Sequence, residues 1–392
     1  MEYFSYRHPQ SAFQIRVSRF APPGHAAEFH FFIVPPQPSP FPDQFRELEE
    51  AYLYALKELN LAEQTAVFRR FFLSDCAGQA ALLQKSTIAR SESPVAISIV
   101  EGAPLPGLHV AMWAHHIQTA EPLQKKRQAN TLAVERGAVT HLWTTGLIAP
   151  PPQAEPPDAA TQTIASFETY VDQLKNYDAT LRDEVVRTWV FVQDIDANYE
   201  GMVTARRELF ARHGLTNGSH FFVSTGIAAR HADPRCLILL DAYAVTGIDP
   251  GRIRFLTAPD HLGPTSAYGV TFERGVRLDY GDRAHVLLSG TASIDPVGKI
   301  VHPGDVLRQT ERTCENIAAL LADAKATTND IAQMIVYIRN AADYQLVQNY
   351  LDKHLPKVPR IVVHAPVCRP GWLVEIECWA ITPNQTPYWP PF

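Results

Sequence analysis

Cysteine is scarce in this chain and positive charge is not in surplus. Among 392 residues there are five cysteines (Cys76, Cys236, Cys314, Cys368 and Cys378), an odd number with no Cys-x-x-Cys pair. That composition excludes a disulfide framework and a zinc knuckle, and it fits a reducing compartment. The formal net charge of −6 leaves no basic footprint for nucleic acid. No run of about 18 apolar residues exists to span a bilayer. The opening MEYFSYRHPQSAFQ lacks a basic start followed by an apolar core, so no secretory signal is expected. Neither HPGD (302–305) nor STGIAA (224–229) matches a nucleotide-binding glycine fingerprint. These absences predict a cytoplasmic protein without nucleic-acid or membrane partners.

What is present is apolar and long enough for several cores. Hydrophobic residues make up 46% of the chain and charged ones 19%, and this length favours two or three domains. Proline-dense stretches at 35–42 (PPQPSPFP) and 149–159 (APPPQAEPPDA) resist regular structure. Between and after them, helical spacing recurs at 43–60, 161–177, 198–213, 305–324 and 342–354, and strand-like apolar runs at 66–73, 185–192 and 331–338. One order of elements (helix, strand, helix, hairpin) therefore occurs three times. The repeated strand ends are FFLSD (71–75), VFVQD (190–194) and VYIRN (336–340). The expected organisation is a first repeat at 1–148, a proline-rich linker at 149–160, a second repeat at 161–260 and a third at 261–385.

The most informative stretch is PRIVVHAPVCRPGWLVEIECWAI (359–381). Its two apolar runs, 361–363 and 372–376, flank a Cys-Arg-Pro-Gly corner and read as a β-hairpin. Arg360 opens the first run and Glu375 sits inside the second. An acid in so apolar a strand needs a partner or a function, because an unpaired buried charge is costly or shifts its pKa. Either the two form a structural ion pair or they face a shared cavity. Two other features read as structural: His115-His116 lack a third ligand at metal spacing, and Arg206-Arg207 read as a solvated helix face.

Residues 265–385 resemble the RidA family of small trimeric enamine/imine deaminases. The resemblance is carried by SGTASIDPVGKIVHPGDVLRQTERTCENIAALL, DIAQMIVYIRNAADY, PRIVVHAP and LVEIECWAI. It implies that Arg360 holds a substrate carboxylate and that Glu375, 15 positions later (375 − 360), positions the attacking water. It also places the family's serine-glycine strand end on Ser289-Gly290 and its aromatic lid residue on Phe272 or, less directly, Tyr268. From about residue 140 onward, SGTASI, HPGD followed by QTERT, the CRP–VEIE stretch and STGIAA resemble chorismatases more narrowly. Those enzymes fuse two RidA-like units and cleave the enolpyruvyl ether of chorismate, with the Cys and Glu of that stretch lining the site, here Cys368 and Glu375. On that plan the chain carries roughly 120 additional N-terminal residues.

The fold class expected is thus α+β: three RidA-like units with mixed sheets inward and helices outward, an intramolecular pseudo-trimer. Only the third unit is equipped, since Ala111 and Leu239 stand where Glu375 does, and Ala96 and Ser224 where Arg360 does. The expected function is cofactor-free and metal-independent: chorismatase-type cleavage to pyruvate plus a hydroxybenzoate or cyclohexadiene diol. An imine deaminase or a non-catalytic binding protein of the same fold are the alternatives. Arg360 suits a small carboxylate-bearing substrate because a guanidinium pairs with a carboxylate through two parallel hydrogen bonds. The backbone N–H groups of Gly290 and Thr291 are candidates to hold developing negative charge. A monomer acting as its own trimer is expected, with further self-association left open.

Overall fold

The computed structural model describes residues 1–8, 13–149, 158–386 and 388–392, and for Tyr268 the backbone alone. One plan appears three times. The first unit contains β1 (Glu2–Arg7), β2 (Gln14–Phe20), β3 (Ala27–Val34), α1 (Phe41–Glu58), β4 (Ala66–Leu73), α2 (Cys76–Leu83), β5 (Ala96–Glu101), a short β6 (Ala103–Pro104) and β7 (Val110–Gln118). The second contains β8 (Gln124–Gln128), β9 (Thr131–Arg136), β10 (Val139–Ile148), α3 (Ala159–Lys175), β11 (Val185–Val192), α4 (Ile195–Arg212), β12 (Val223–Ala228) and β13 (Ile238–Thr246). The third contains β14 (Ile253–Phe255), β15 (Gly275–Asp279), β16 (Arg283–Ala292), α5 (Val306–Asp323), β17 (Ile331–Ile338), α6 (Tyr344–His354), β18 (Arg360–His364) and β19 (Val374–Pro383).

The sheet orders are β1-β2-β3-β7-β4-β5, β8-β9-β10-β13-β11-β12 and β14-β15-β16-β19-β17-β18, the last extended by β6 of the first unit. They are the same order, so the chain is an α+β fold of three RidA-like units. The three strand ends recognised in the sequence lead into the second helix of each unit. In the first, the Asp75 side chain accepts from Gly78 N at 3.1 Å and caps α2.

Hydrogen bonding moves the expected boundaries. Residues 124–148, read as part of the first repeat, pair into the second sheet through β10 and β13, and β14, read as part of the second, pairs with β15. The cause is the proline runs. Both fall between the third strand and first helix of a unit, so 149–160 lies inside a unit instead of between two. Of that stretch, residues 150–157 lie outside the described residues.

The expected hairpin is also corrected. β18 and β19 do not pair, because β17 lies between them, parallel to β18 and antiparallel to β19. A strand reached through a helix returns parallel to its predecessor, and the Cys-Arg-Pro-Gly corner then carries the chain across the end of β17. Register in the shared strand fixes the equivalences. Glu375, Leu239 and Ala111 oppose Tyr337, Phe191 and Phe72. Arg360, Ser224 and Ile97 oppose Met334, Thr188 and Arg69, so Ile97 takes the place expected of Ala96.

The three sheets meet around a shared core of Phe68, Trp113, Trp143, Trp189, Tyr243 and Trp379, with Trp143 4.5 Å from Tyr243 and 5.9 Å from Trp379 between ring centroids. Each junction carries one buried ion pair: Arg70–Asp241 at 2.9 Å between the first and second units, Arg187–Glu377 at 2.8 Å between second and third, and Arg283–Glu28 at 2.6 Å between third and first. Removing one member strands the other charge in the core, which costs roughly 3–5 kcal/mol, whereas replacing both with apolar residues is far milder. Arg70→Met is therefore expected to lower Tm steeply and Arg70→Met/Asp241→Leu to recover most of the loss, read by calorimetry. Equal losses in single and double variants contradict this.

Candidate active site

Glu375, the second residue of β19, is buried. It lines a cavity between the second and third units together with Tyr199, Met202 and Arg206 from α4 and with Phe272, Gly290, Cys368 and Trp372. Its carboxyl has no hydrogen-bond partner among the described residues. Burial, then the neighbouring Glu377, raise its pKa to about 8 against the opposing pull of Arg187. Glu375 therefore carries its proton at neutral pH.

Gly290 makes room for this acid. A Cβ there would lie 2.1 Å from Glu375 Oε1 and 3.2 Å from Thr225 Cγ2, so no other residue fits without displacing the carboxyl. A register shift between Leu288 and Thr291 bends the strand at this point.

The expected site residues divide. Glu375, Cys368, Phe272 and Gly290 come together in the cavity. The Cys368 thiol is pushed up to about 12 by burial and then by Glu375, so it serves as wall and not as thiolate. The Tyr268 side chain lies outside the described residues. Ser289 is occupied in joining units, donating to Glu273 O at 2.6 Å and accepting from Ser224 N at 2.9 Å. Thr291 is buried and donates to Ser289 O at 3.0 Å. Gly290 N–H donates to Thr225 Oγ1 at 3.1 Å. It is spoken for, which corrects the expectation that it binds developing negative charge.

Arg360 lies elsewhere. Its side chain lines a different cleft, between the third and first units. It closes the C-terminal end of α6 by donating to Leu355 O at 2.9 Å and Val358 O at 3.3 Å, and it pairs with Asp352. Arg360 and Glu375 thus form neither an ion pair nor one site. β17 separates their strands, so spacing along the chain could not reveal that the two groups face different neighbours.

The guanidinium that does share the acid's cavity is Arg206, read from sequence as solvated. It is 2% exposed, while Arg207 is exposed. Arg206 Nε donates to Thr271 Oγ1 at 3.0 Å and one terminal nitrogen to Ser224 Oγ at 3.2 Å. No carboxylate stands within ion-pair distance among the described residues. Burial lowers its pKa. Adjacent helical residues cannot share a face, and 199, 202, 206 and 210 fall on one stripe. That spacing is the signal by which Arg206 could have been found. Arg274 and Arg369 also line the cavity. The open space inside is about 40 Å³, room for a few waters and not a ring; Phe272, Cys368 and Arg369 are among the partly exposed members of its lining.

Among the described residues, Glu28, His30 and His115 are grouped closely enough to be considered for a metal ion, their ligating atoms lying within 4.8 Å of one another. Sequence reasoning missed this group because β3 and β7 bring His115 beside residues about 85 positions away. His30 and His115 stack in parallel at 4.3 Å and 4°, so their in-plane lone pairs cannot both meet one ion. Glu28 already takes His115 at 3.1 Å and His285 at 2.8 Å. The group is a polar network joining the first and third units.

Fold and cavity now define the class, and comparison with known proteins agrees. Residues 275–382 match the family described as Endoribonuclease L-PSP, to which RidA proteins belong. A RutC family protein of Pyrococcus abyssi is 32% identical over 98 residues, which are 24% of this chain and 76% of that protein. The chain belongs to this RidA-like family. More narrowly, a chorismatase of Streptomyces rapamycinicus is 27% identical over 216 residues, 49% of this chain and 63% of that protein. A solved chorismatase structure superposes with a TM-score of 0.60 at 19% identity, covering 81% of this chain and 93% of that one. Residues after 140 cannot supply 81% of 392, so part of the N-terminal unit, expected to be an addition to the chorismatase plan, also superposes on that structure. No helix among the described residues is long and apolar enough to cross a membrane.

Two outcomes follow. For an acid whose pKa is raised in the fold, stability is full below the unfolded value near 4.5 and is lost as pH rises through about 8. Glu375→Gln is thus expected to match wild type in Tm near pH 4 and exceed it at pH 9; an unchanged difference across that range refutes the protonated state. Arg360→Ala is expected to lower Tm while leaving ligand affinity at the Glu375 cavity unaltered, read by calorimetric titration. Loss of that affinity with Tm intact would return Arg360 to the site.

Proposed function

We propose that this protein is a cofactor-free enzyme of the hydrolase or lyase kind, acting at the Glu375 cavity on the enolpyruvyl ether of a chorismate-type dicarboxylate. The observation that carries the reading is a buried carboxyl, its pKa raised to about 8, in a cleft that also holds a buried guanidinium with no acidic partner among the described residues. Arg206, with no carboxylate within ion-pair distance among the described residues, suits a carboxylate of a small molecule. Phe272, Trp372 and Met202 offer apolar walls to a carbocyclic body. The similarity to chorismatases supports the same class.

The chemistry asks for what Glu375 offers. Protonating the terminal methylene carbon of the enolpyruvyl group makes an oxocarbenium ion, as general acid catalysis requires a proton donor with a pKa near the working pH. Water then adds to the cationic, ether-bearing carbon and gives up a proton to the Glu375 carboxylate, and the resulting hemiketal collapses to pyruvate and the ring alcohol. Burial, the largest influence on Glu375, favours the protonated form until the substrate takes the proton.

The test is to incubate the purified protein with chorismate and assay pyruvate. Expected are pyruvate release, a rate falling as pH rises through about 8, and a loss of at least 100-fold in kcat for Glu375→Gln. Absence of pyruvate, with ammonia released from a dehydroamino-acid-derived imine, would replace this reading with an imine deaminase. Neither product would indicate a binding protein.

A further inference from the structure

Each sheet ends on one side in an outer strand, β1 in the first unit, β8 in the second and β14 in the third. On the other side β5, β12 and β18 are met by backbone of a neighbouring unit. An outer strand presents a row of unpaired N–H and C=O groups, and proteins blunt it with cations, prolines, bulges or brevity. β14 has three residues. β8 reads QKKRQ and carries Lys125, Lys126 and Arg127. β1 has no such device. Its six residues, EYFSYR, include no lysine or proline, and their register against β2 runs from Glu2–Arg19 to Arg7–Gln14 without a bulge.

β1 is held from both faces. Tyr3 Oη donates to Asn329 O and Ile331 O of the third unit, both at 2.9 Å. On the opposite face Phe4 and Tyr6 stack with ring centroids 6.3 Å apart and pack on the first unit's core, and His8 meets Tyr54 edge-on at 5.3 Å. Glu2, Ser5 and Arg7 are exposed. An edge already ordered in this way loses little freedom when another strand joins it. The strand is also complementary to itself. A two-fold axis normal to the sheet keeps each face continuous, so in a symmetric antiparallel pair even-numbered residues meet even-numbered ones. With the axis on Ser5, Glu2 stands opposite His8 of the second copy, Tyr3 opposite Arg7, and Phe4 opposite Tyr6. An acid meets a histidine, a ring meets a guanidinium, and two aromatic rings meet each other, all pairings that stabilise facing strands. An axis on Phe4 instead sets Glu2 opposite Tyr6 and Arg7 opposite Met1, and these matches are lost.

We infer that β1 is a docking surface for β1 of a second copy of this chain, paired antiparallel about Ser5, so that the six-stranded sheets of two first units become one continuous sheet. The inference does not rest on the reaction proposed for the Glu375 cavity.

Sedimentation equilibrium on the full chain reads the assembly. Expected is a mass that rises with concentration towards twice the 43.7 kDa of one chain. Ser5→Lys sets like charges opposite each other at the axis and should weaken the dimer roughly tenfold or more, while its circular dichroism stays that of the wild type. Ser5→Cys places two thiols on residues whose Cα atoms face each other at about 4.5–5.5 Å, within reach of a disulfide. It should give a covalent dimer in oxidised glutathione, where the wild type with its five cysteines gives none. A one-chain mass persisting up to about 1 mM overturns the inference. So does a dimer that Ser5→Lys leaves intact, or the absence of a covalent dimer in Ser5→Cys, since the contact would then lie on another surface.

Discussion

One buried arginine–carboxylate pair at each of three sheet junctions is the constraint from which the rest of the molecule follows. Charges this deep are tolerated only when partnered and hydrogen-bonded. Arg187 illustrates the requirement, donating to Leu288 O, Thr225 Oγ1 and Glu377 at 2.6–2.8 Å. Because each pair takes one member from each of two units, it fixes how those units meet. Trp189 Nε1–H, donating to Glu377 at 2.8 Å, ties the aromatic core to the same network. A single chain thereby holds the geometry that a trimer would otherwise assemble from separate subunits.

Covalent fusion frees the three junctions to diverge. Identical subunits must repeat every residue at every interface, whereas here the position of Glu375 is Leu239 in one unit and Ala111 in another. The result is one cleft with Glu375 and no counterpart of Arg360, and another with Arg360 and no counterpart of Glu375. The ion pairs diverge too: the acid is Asp241, Glu377 or Glu28, and the last belongs to a cluster in which burial keeps His30 and His115 below the ordinary histidine range. Burial itself would raise the Glu28 carboxyl, but His285 and Arg283 outweigh it and hold it ionised.

Much of the fold was legible in the sequence. The helical stripes and the three strand ends at Asp75, Asp194 and Asn340 fall where the structure has them, because local periodicity and capping act over a few residues. What misled was proline, which marks an interruption without saying whether it lies within a unit or between units. Strand insertion was also invisible, since the 359–381 stretch has the pattern of a hairpin and only the third partner, β17, shows otherwise. At the site, Glu375 was legible as an acid where a strand should be apolar. Arg206 was hidden by its neighbour Arg207, and the cavity by its origin in two units far apart in sequence. Arg360 was misassigned because a resemblance carried over along one chain assumes that both residues face the same neighbour.

The proposed chemistry requires Glu375 to keep its proton in a cleft between two fused units. The direct measurement is the carbon-13 chemical shift of its side-chain carboxyl as a function of pH, assigned by comparing spectra of the wild type and Glu375→Gln. A titration midpoint near 8 is predicted. A midpoint between 4 and 5, that of a solvated glutamate, would contradict it.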